Sequence, residues 1–184
     1  SIVPDMVTMA KGLGAGYQPI GALMVSREIH DTLASGTGFF QHGHTYIGHA
    51  TACAASLAVQ QVIEEDQLLA NVQTQGKYLK RQLLECFAEH PQVGDIRGRG
   101  LFLGLELVAD RADKSPLPLE SQIQHKIKAQ LMENGLMCYP GAGSVDGRRG
   151  HHILLAPPFI VEQQHLDFLV ETLAKSIDQV LNRV

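Results

Sequence analysis

"MVTMAKGLGAGYQPIGALMV", residues 6–25, holds two apolar runs joined by a glycine-rich loop. Met6–Ala10 reads as a short buried strand, and Gly21–Val25 reads as another. Lys11 closes the first run, and Gly12, Gly14 and Gly16 follow it at alternate positions. The first strand is apolar on both faces, so its end is expected inside an α/β sheet. Ligands of such folds gather at the carboxyl ends of strands. Glycines there clear side chains away from whatever binds. A lysine amine has a reference pKa near ~10.4 and is almost wholly ammonium in water. Desolvation or a nearby cation lowers that value and frees the lone pair to attack a carbonyl. The chemistry this pattern offers is an imine with an aldehyde; the plain alternative is a solvated lysine at a strand end.

Nucleotide readings of the same glycines fail. "GLGAG" lacks the G-x-G-x-x-G spacing, and Pro19 and Gly21 fall where a following helix would have to propagate. A phosphate-gripping G-x-x-x-x-G-K-[ST] is absent, because here the lysine precedes the glycines.

Outward from this stretch, Ser26 reads as an N-cap with Glu28 in the first turn of a helix over 27–34. Residues 35–48, "SGTGFFQHGHTYIG", carry four glycines and two histidines with no period. They form a loop longer than a compact domain keeps without a use. An alanine-rich helix follows over 49–65, its small residues suited to close packing on a neighbouring backbone. A second helix covers 67–90, with Leu68, Val72, Leu79, Leu83 and Phe87 on one face and Pro91 as its stop. "VGDIRGRGLFLGLELV", residues 93–108, gives two strands around an Arg-Gly-Arg-Gly turn. Ile123, Ile127 and Leu131 mark a helix that Gly135 ends. "LMCY" and "HILLA" read as strands flanking a glycine-rich insert. Leu166, Leu169, Val170, Leu173, Ile177, Val180 and Leu181 mark the last helix. The organisation changes near residue 66, which divides the chain into 1–65 and a self-contained α/β unit, 66–184.

The chain has 184 residues, is 45% hydrophobic and carries a net charge of −4, so it can bury a sizeable core. That charge argues against nucleic-acid or anionic-membrane partners, which need a basic face. Cys53, Cys86 and Cys138 are sparse and odd in number, as expected of reduced thiols in a cytoplasmic protein. No apolar run has the length of a membrane span, and no signal-peptide pattern opens the chain. Ser1 opens inside what reads as a loop, and the chain is expected to be the C-terminal part of something longer.

At this point the residues resemble a family. "PDMVTMAKGLGAGYQPIGALMVSREI" is similar to the lysine segment of class III, ω-amino-acid type, pyridoxal-phosphate-dependent aminotransferases. "HGHTYIGHATACAASLAV" resembles that family's next segment, and "VGDIRGRGLFLGLELV" and "HILLAPPF" its small-domain strands. The resemblance covers essentially the whole chain. It implies an α/β fold of type I, with residues 1–65 as the end of a large cofactor domain and 66–184 as the small C-terminal domain. It further implies pyridoxal 5'-phosphate as cofactor and a homodimer with shared active sites. The activity implied is transfer of an amino group from an amine or ω-amino acid to an oxo acid such as pyruvate. Lys11 matches the lysine that bonds the cofactor and shuttles the substrate proton. Thr45 matches the threonine that hydrogen-bonds the phosphate of the partner subunit's cofactor. An aminomutase or decarboxylase of the same fold, or a non-catalytic dimerising half-chain, are the alternatives.

The departures bear on substrate choice and on competence. Ala50 stands where the family has a proline, a preferred but dispensable residue at a helix start. Where many members place a carboxylate-gripping arginine, Tyr139 stands here, and an insert carries Arg148 and Arg149. Either arginine fork could take a carboxylate; exposed loop arginines are commonly just solvated, which is the favoured reading. The family's phosphate-binding turn, ring-stacking aromatic and pyridine-binding aspartate all precede its lysine. These residues alone are therefore expected neither to bind the cofactor tightly nor to transaminate.

Remaining candidates read more plainly. His42, His44 and His49 have a spacing that imidazole ligands could use, but no cysteine or carboxylate is near, and interface support is preferred to metal. His151-His152 reads as strand-edge structure, since neighbouring strand residues face opposite ways. Arg97 is expected to brace the small domain against the large one. Tyr17 lines a substrate pocket or sits in a core with its hydroxyl bonded.

Overall fold

A computed structural model describes residues 2–181, and the chain divides between Gln67 and Leu68 into two units. The first contains β1 (Met6–Ala10), a 3₁₀ turn over Lys11–Gly14, β2 (Gly21–Val25), α1 (Arg27–Ser35) and α2 (Ala50–Glu65). The expected N-cap is present: Ser26 Oγ accepts the Ile29 N–H at 3.5 Å. The second helix begins one residue later than expected, because His49 caps it instead of joining it.

The strand before Lys11 is not buried. β1 and β2 pair only with one another, antiparallel, with Met6 opposite Val25 and Ala10 opposite Gly21. Met6 is 59% and Met24 57% exposed, and every residue of β1 lies open to solvent. The apolar pattern was a sound guide to strand and a poor one to burial. It encodes a central strand, and a two-stranded ribbon covers neither of its faces.

The second unit contains α3 (Leu68–Cys86), β3 (Val93–Arg99), β4 (Phe102–Leu107), α4 (Ile123–Glu133), β5 (Tyr139–Ala142), β6 (His151–Leu155) and α5 (Gln163–Leu181). Its sheet is antiparallel in the order β3-β4-β6-β5. Alternation along the strands builds the core: Leu103, Leu105 and Leu107 on β4 and Ile153 and Leu155 on β6 are buried toward one side. The helices supply the other wall through Leu83 of α3, Ile127 of α4 and Leu173 of α5, each 0% exposed. Asn134 at the end of α4 donates to Ser176 Oγ at 2.8 Å and Gln179 Oε1 at 2.9 Å, which fixes α4 against α5.

Three further boundaries differ from the sequence reading, the first of them β5, which covers Tyr139–Ala142 and shares only Tyr139 with the expected LMCY strand. α3 ends at Cys86, four residues before the expected last residue, His90, and Phe87 packs into the core from the turn that follows. The tight turn between β3 and β4 lies at Gly100-Leu101, so Arg97-Gly98-Arg99 belong to a strand. Arg97 accordingly braces this sheet. Its Nη1 donates to Asp95 Oδ2 at 2.8 Å and Glu106 Oε2 at 2.6 Å, and those carboxylates oppose each other across β3 and β4. Like charges opposed across a ladder repel, and the shared guanidinium removes that penalty.

The β3–β4 turn rests directly on α3. A methyl group at Gly76 would lie 2.5 Å from both the carbonyl carbon and oxygen of Gly100. Those are backbone atoms, so no side-chain rotation relieves the clash. Gly76→Ala gains about 1 kcal/mol of helix propensity but costs about 3 kcal/mol in overpacking. The expected net loss, about 2 kcal/mol, is read from the urea midpoint of the chain.

Candidate active site

The site is built on the 3₁₀ turn that follows β1. Lys11 is its first residue, exposed, with φ 51°, and Ala15 at its end has φ 48°. Left-handed backbone at a residue with a side chain is uncommon, and such strain collects at functional positions. Among the described residues the Lys11 amine makes no hydrogen bond or ion pair. Space around it is open: a methyl group at Gly12 or Gly16 would meet nothing within 4 Å.

Helix α2 holds this turn in place. Ser56 Oγ donates to the Leu13 carbonyl at 2.8 Å, and Gln60 Nε2 donates to the same oxygen at 3.1 Å. Ser56 is 7% exposed, Ala52 beside it is buried, and Gly14 is buried in the turn. The small residues of α2 thus provide the close backbone packing expected of them. Ser56 and Gln60 were missed as site residues, although the spacing Ala52, Ser56, Gln60 marks one stripe of the helix at every fourth residue.

Thr45 opens the turn that leads into α2. It is exposed, and its hydroxyl has no partner among the described residues. The next turn closes with the Ile47 N–H on the His44 carbonyl at 3.0 Å and the His49 N–H on Tyr46 at 3.2 Å. His49 Nδ1 accepts the Ala52 N–H at 3.3 Å, so that ring is committed as the helix cap. His42 and His44 lie edge to face, and among the described residues no three potential ligands converge on a metal position. Tyr17 is 77% exposed within this chain.

In the second unit, Tyr139 begins β5 and is exposed on the outer face of the sheet, in register with Leu154. Arg148 and Arg149 sit in the β5–β6 hairpin, and the structure treats them differently. Asp146 Oδ1 accepts the N–H groups of Arg148 at 3.0 Å and Arg149 at 2.7 Å, while its Oδ2 accepts Arg149 Nε at 2.7 Å. The Arg149 backbone N–H and side chain, then the Arg148 N–H, hold the Asp146 carboxyl at about 2, so this brace persists across ordinary pH. Arg149 is thereby a loop brace, while the Arg148 guanidinium has no partner among the described residues. His151-His152 is not at the sheet edge, because β6 lies between β4 and β5, and His151 is buried.

Residues 1–177 match the family described as Aminotransferase class-III. The chain belongs to the class III aminotransferase family. It is 44% identical over 180 residues to an uncharacterised aminotransferase of Schizosaccharomyces pombe, an alignment covering 96% of this chain and 38% of that protein. A thermostable (S)-enantioselective omega-transaminase from Thermomicrobium roseum superposes with TM-score 0.89 at 37% identity, over 98% of this chain and 38% of that one. An amine transaminase from an uncultivated Pseudomonas species, solved in a PLP-bound form, gives TM-score 0.85 at 32% identity, over 96% of this chain and 39% of that one. The fold is therefore the α/β fold of type I transaminases, and the class III segment spans well under half the length of these relatives. No helix among the described residues is long and apolar enough to cross a membrane.

Proposed function

We propose that this chain supplies the cofactor-holding lysine and the C-terminal unit of a pyridoxal-5'-phosphate-dependent transaminase. In this reading the assembled enzyme moves an amino group from an amine or ω-amino acid to an oxo acid such as pyruvate. The observation that carries the reading is an unpaired lysine on a strained turn at a strand end, clamped by Ser56 and Gln60, in a class III chain.

The donor set suits the cofactor. A primary amine is the group that bonds an aldehyde, and an unpartnered threonine hydroxyl ahead of a helix suits a phosphate. When bound, the cofactor supplies an electron sink through its pyridine ring. Lys11 would hold it through its amine, and that amine would also serve as the base for the substrate-carbon proton. The clamp on Leu13 fixes the backbone of the turn that carries that amine. Thr45 donates to the phosphate of the partner subunit's cofactor in a homodimer. Residues 1–65 complete the cofactor domain, residues 66–184 form the small domain, and the enzyme is cytoplasmic.

Of the two hairpin arginines, Arg148 is the one available to a substrate carboxylate. In an enzyme completed by this chain, Arg148→Ala is expected to raise KM for the oxo acid about tenfold, the scale of one lost charge-assisted contact. Its kcat and melting temperature should stay unchanged. Arg149→Ala should instead loosen the hairpin, seen as faster amide exchange at residues 143–150.

The direct test joins this chain to the upstream portion of a class III relative and follows amine-dependent conversion of pyruvate to alanine. Conversion of the amine without any need for an oxo acid would favour a mutase or decarboxylase. Absence of both reactions, with dimer formed, would favour a non-catalytic half-chain.

A further inference from the structure

Among the described residues, His151 is the one ionisable side chain that is fully buried, at 1% exposed. It lies on β6 on the same side as Ile153 and Leu155, facing the core. Its cross-strand neighbours are Leu107 on β4 and Ala142 on β5. Neither ring nitrogen has a hydrogen-bond partner among the described residues. A buried polar group without a partner is costly, and a buried charge without one costs far more.

Among the described residues no carboxylate is buried in the core beside it. Glu106 of β4 and His152 of β6 alternate with the buried residues and lie on the opposite face of the sheet. On α4, His125, Lys126, Lys128 and Glu133 are exposed. On α5, His165, Asp167, Glu171, Lys175 and Asp178 are exposed as well. So are Asp110, Arg111, Asp113 and Lys114 in the segment after β4. The half-buried thiol of Cys138 is pushed up to about 11 by burial and is neutral.

We propose that His151 makes the C-terminal unit an acid-sensitive fold, because its core accepts the ring only in the neutral form. Acidification then lowers the stability of the unit instead of charging the ring in place. Burial, and secondarily the charge of His152, hold the imidazole below its usual range in the folded chain. The sign follows from linkage. Below a pH of about 6.5 the unfolded chain binds a proton that the folded chain does not, so stability falls as pH falls. The loss approaches about tenfold in the folding constant per pH unit until the folded-state value is reached.

The test is urea unfolding of the chain, followed by circular dichroism at pH 7.5, 6.5 and 5.5, beside His151→Leu. Between pH 6.5 and 5.5 the unsubstituted chain should lose several-fold to tenfold more of its folding constant than the variant. Parallel losses in the two proteins would overturn the proposal. Should the leucine variant fail to fold, proton NMR of the folded chain decides. Of its nine histidines, the ring with cross-peaks to Leu107 and Ala142 should show no titration over that range. Ordinary titration of that ring would overturn the proposal.

Discussion

Lys11→Ala, in an enzyme that this chain completes, is expected to lower kcat/KM for transamination by at least about 10³-fold. General acid–base groups contribute roughly 10²–10⁴, and in the proposed function the same amine also holds the cofactor. Lys11→Arg should be as inactive as the alanine variant, because a guanidinium stays protonated at any working pH and cannot take the substrate proton. Neither change should disturb the fold. Lys11 is exposed and unpaired among the described residues, and Ala15 already adopts the same left-handed backbone a few residues on. The readout is the rate of oxo-acid amination together with the melting temperature and the mass of borohydride-treated protein. Unsubstituted enzyme should carry the cofactor mass on Lys11, and both variants should lack it. Transamination within tenfold of normal in either variant, or label on another residue, would remove Lys11 from its role.

What the sequence made legible follows from how local each signal is. The core helices were readable because each carries its own period; Ile123, Ile127 and Leu131 repeat every four residues, and all three are buried. Lys11 was readable because strand, cation and glycines adjoin in one short stretch. The clamp of Ser56 and Gln60 on Leu13 was not, since its partners lie more than forty residues apart and a carbonyl carries no side-chain signature. The distinction between Arg148 and Arg149 was equally hidden, for it depends on which of two adjacent guanidiniums curls back to Asp146. The β3–β4 turn was misplaced for a physical reason. Two Arg-Gly pairs look alike in sequence, but it is Gly100, with φ 58°, that lies against Gly76 of α3 and carries the reversal. Burial of β1 was misread because an apolar strand states what it would bury against, not whether that surface is within the same chain.

That last point sets the behaviour expected of this chain by itself. The first unit has two strands with apolar residues on both faces, and among its described residues the buried ones are Gly14, Ala52 and Ser56. An isolated two-stranded ribbon is marginal in water, and a glycine with two small side chains buries too little to offset the entropy of ordering the segment. The second unit is the opposite case, a four-stranded sheet under three helices with a sealed core that includes Leu79, Leu83, Leu105, Ile127 and Ile153. Hydrogen exchange on the chain should therefore divide near Gln67. Amides of β4, β6 and α5 should be protected through global opening, while those of β1, β2 and α1 exchange at close to unprotected rates. Added pyridoxal phosphate should leave both patterns unchanged, and no bound-cofactor absorbance should remain after desalting. Supplying the upstream portion of a class III relative should protect β1 and β2 by a factor of at least ~10³, as a strand exposed on both faces becomes an interior one. Protection of β1 in the chain alone, or stable cofactor absorbance that Lys11→Ala removes, would show that these residues complete the site unaided.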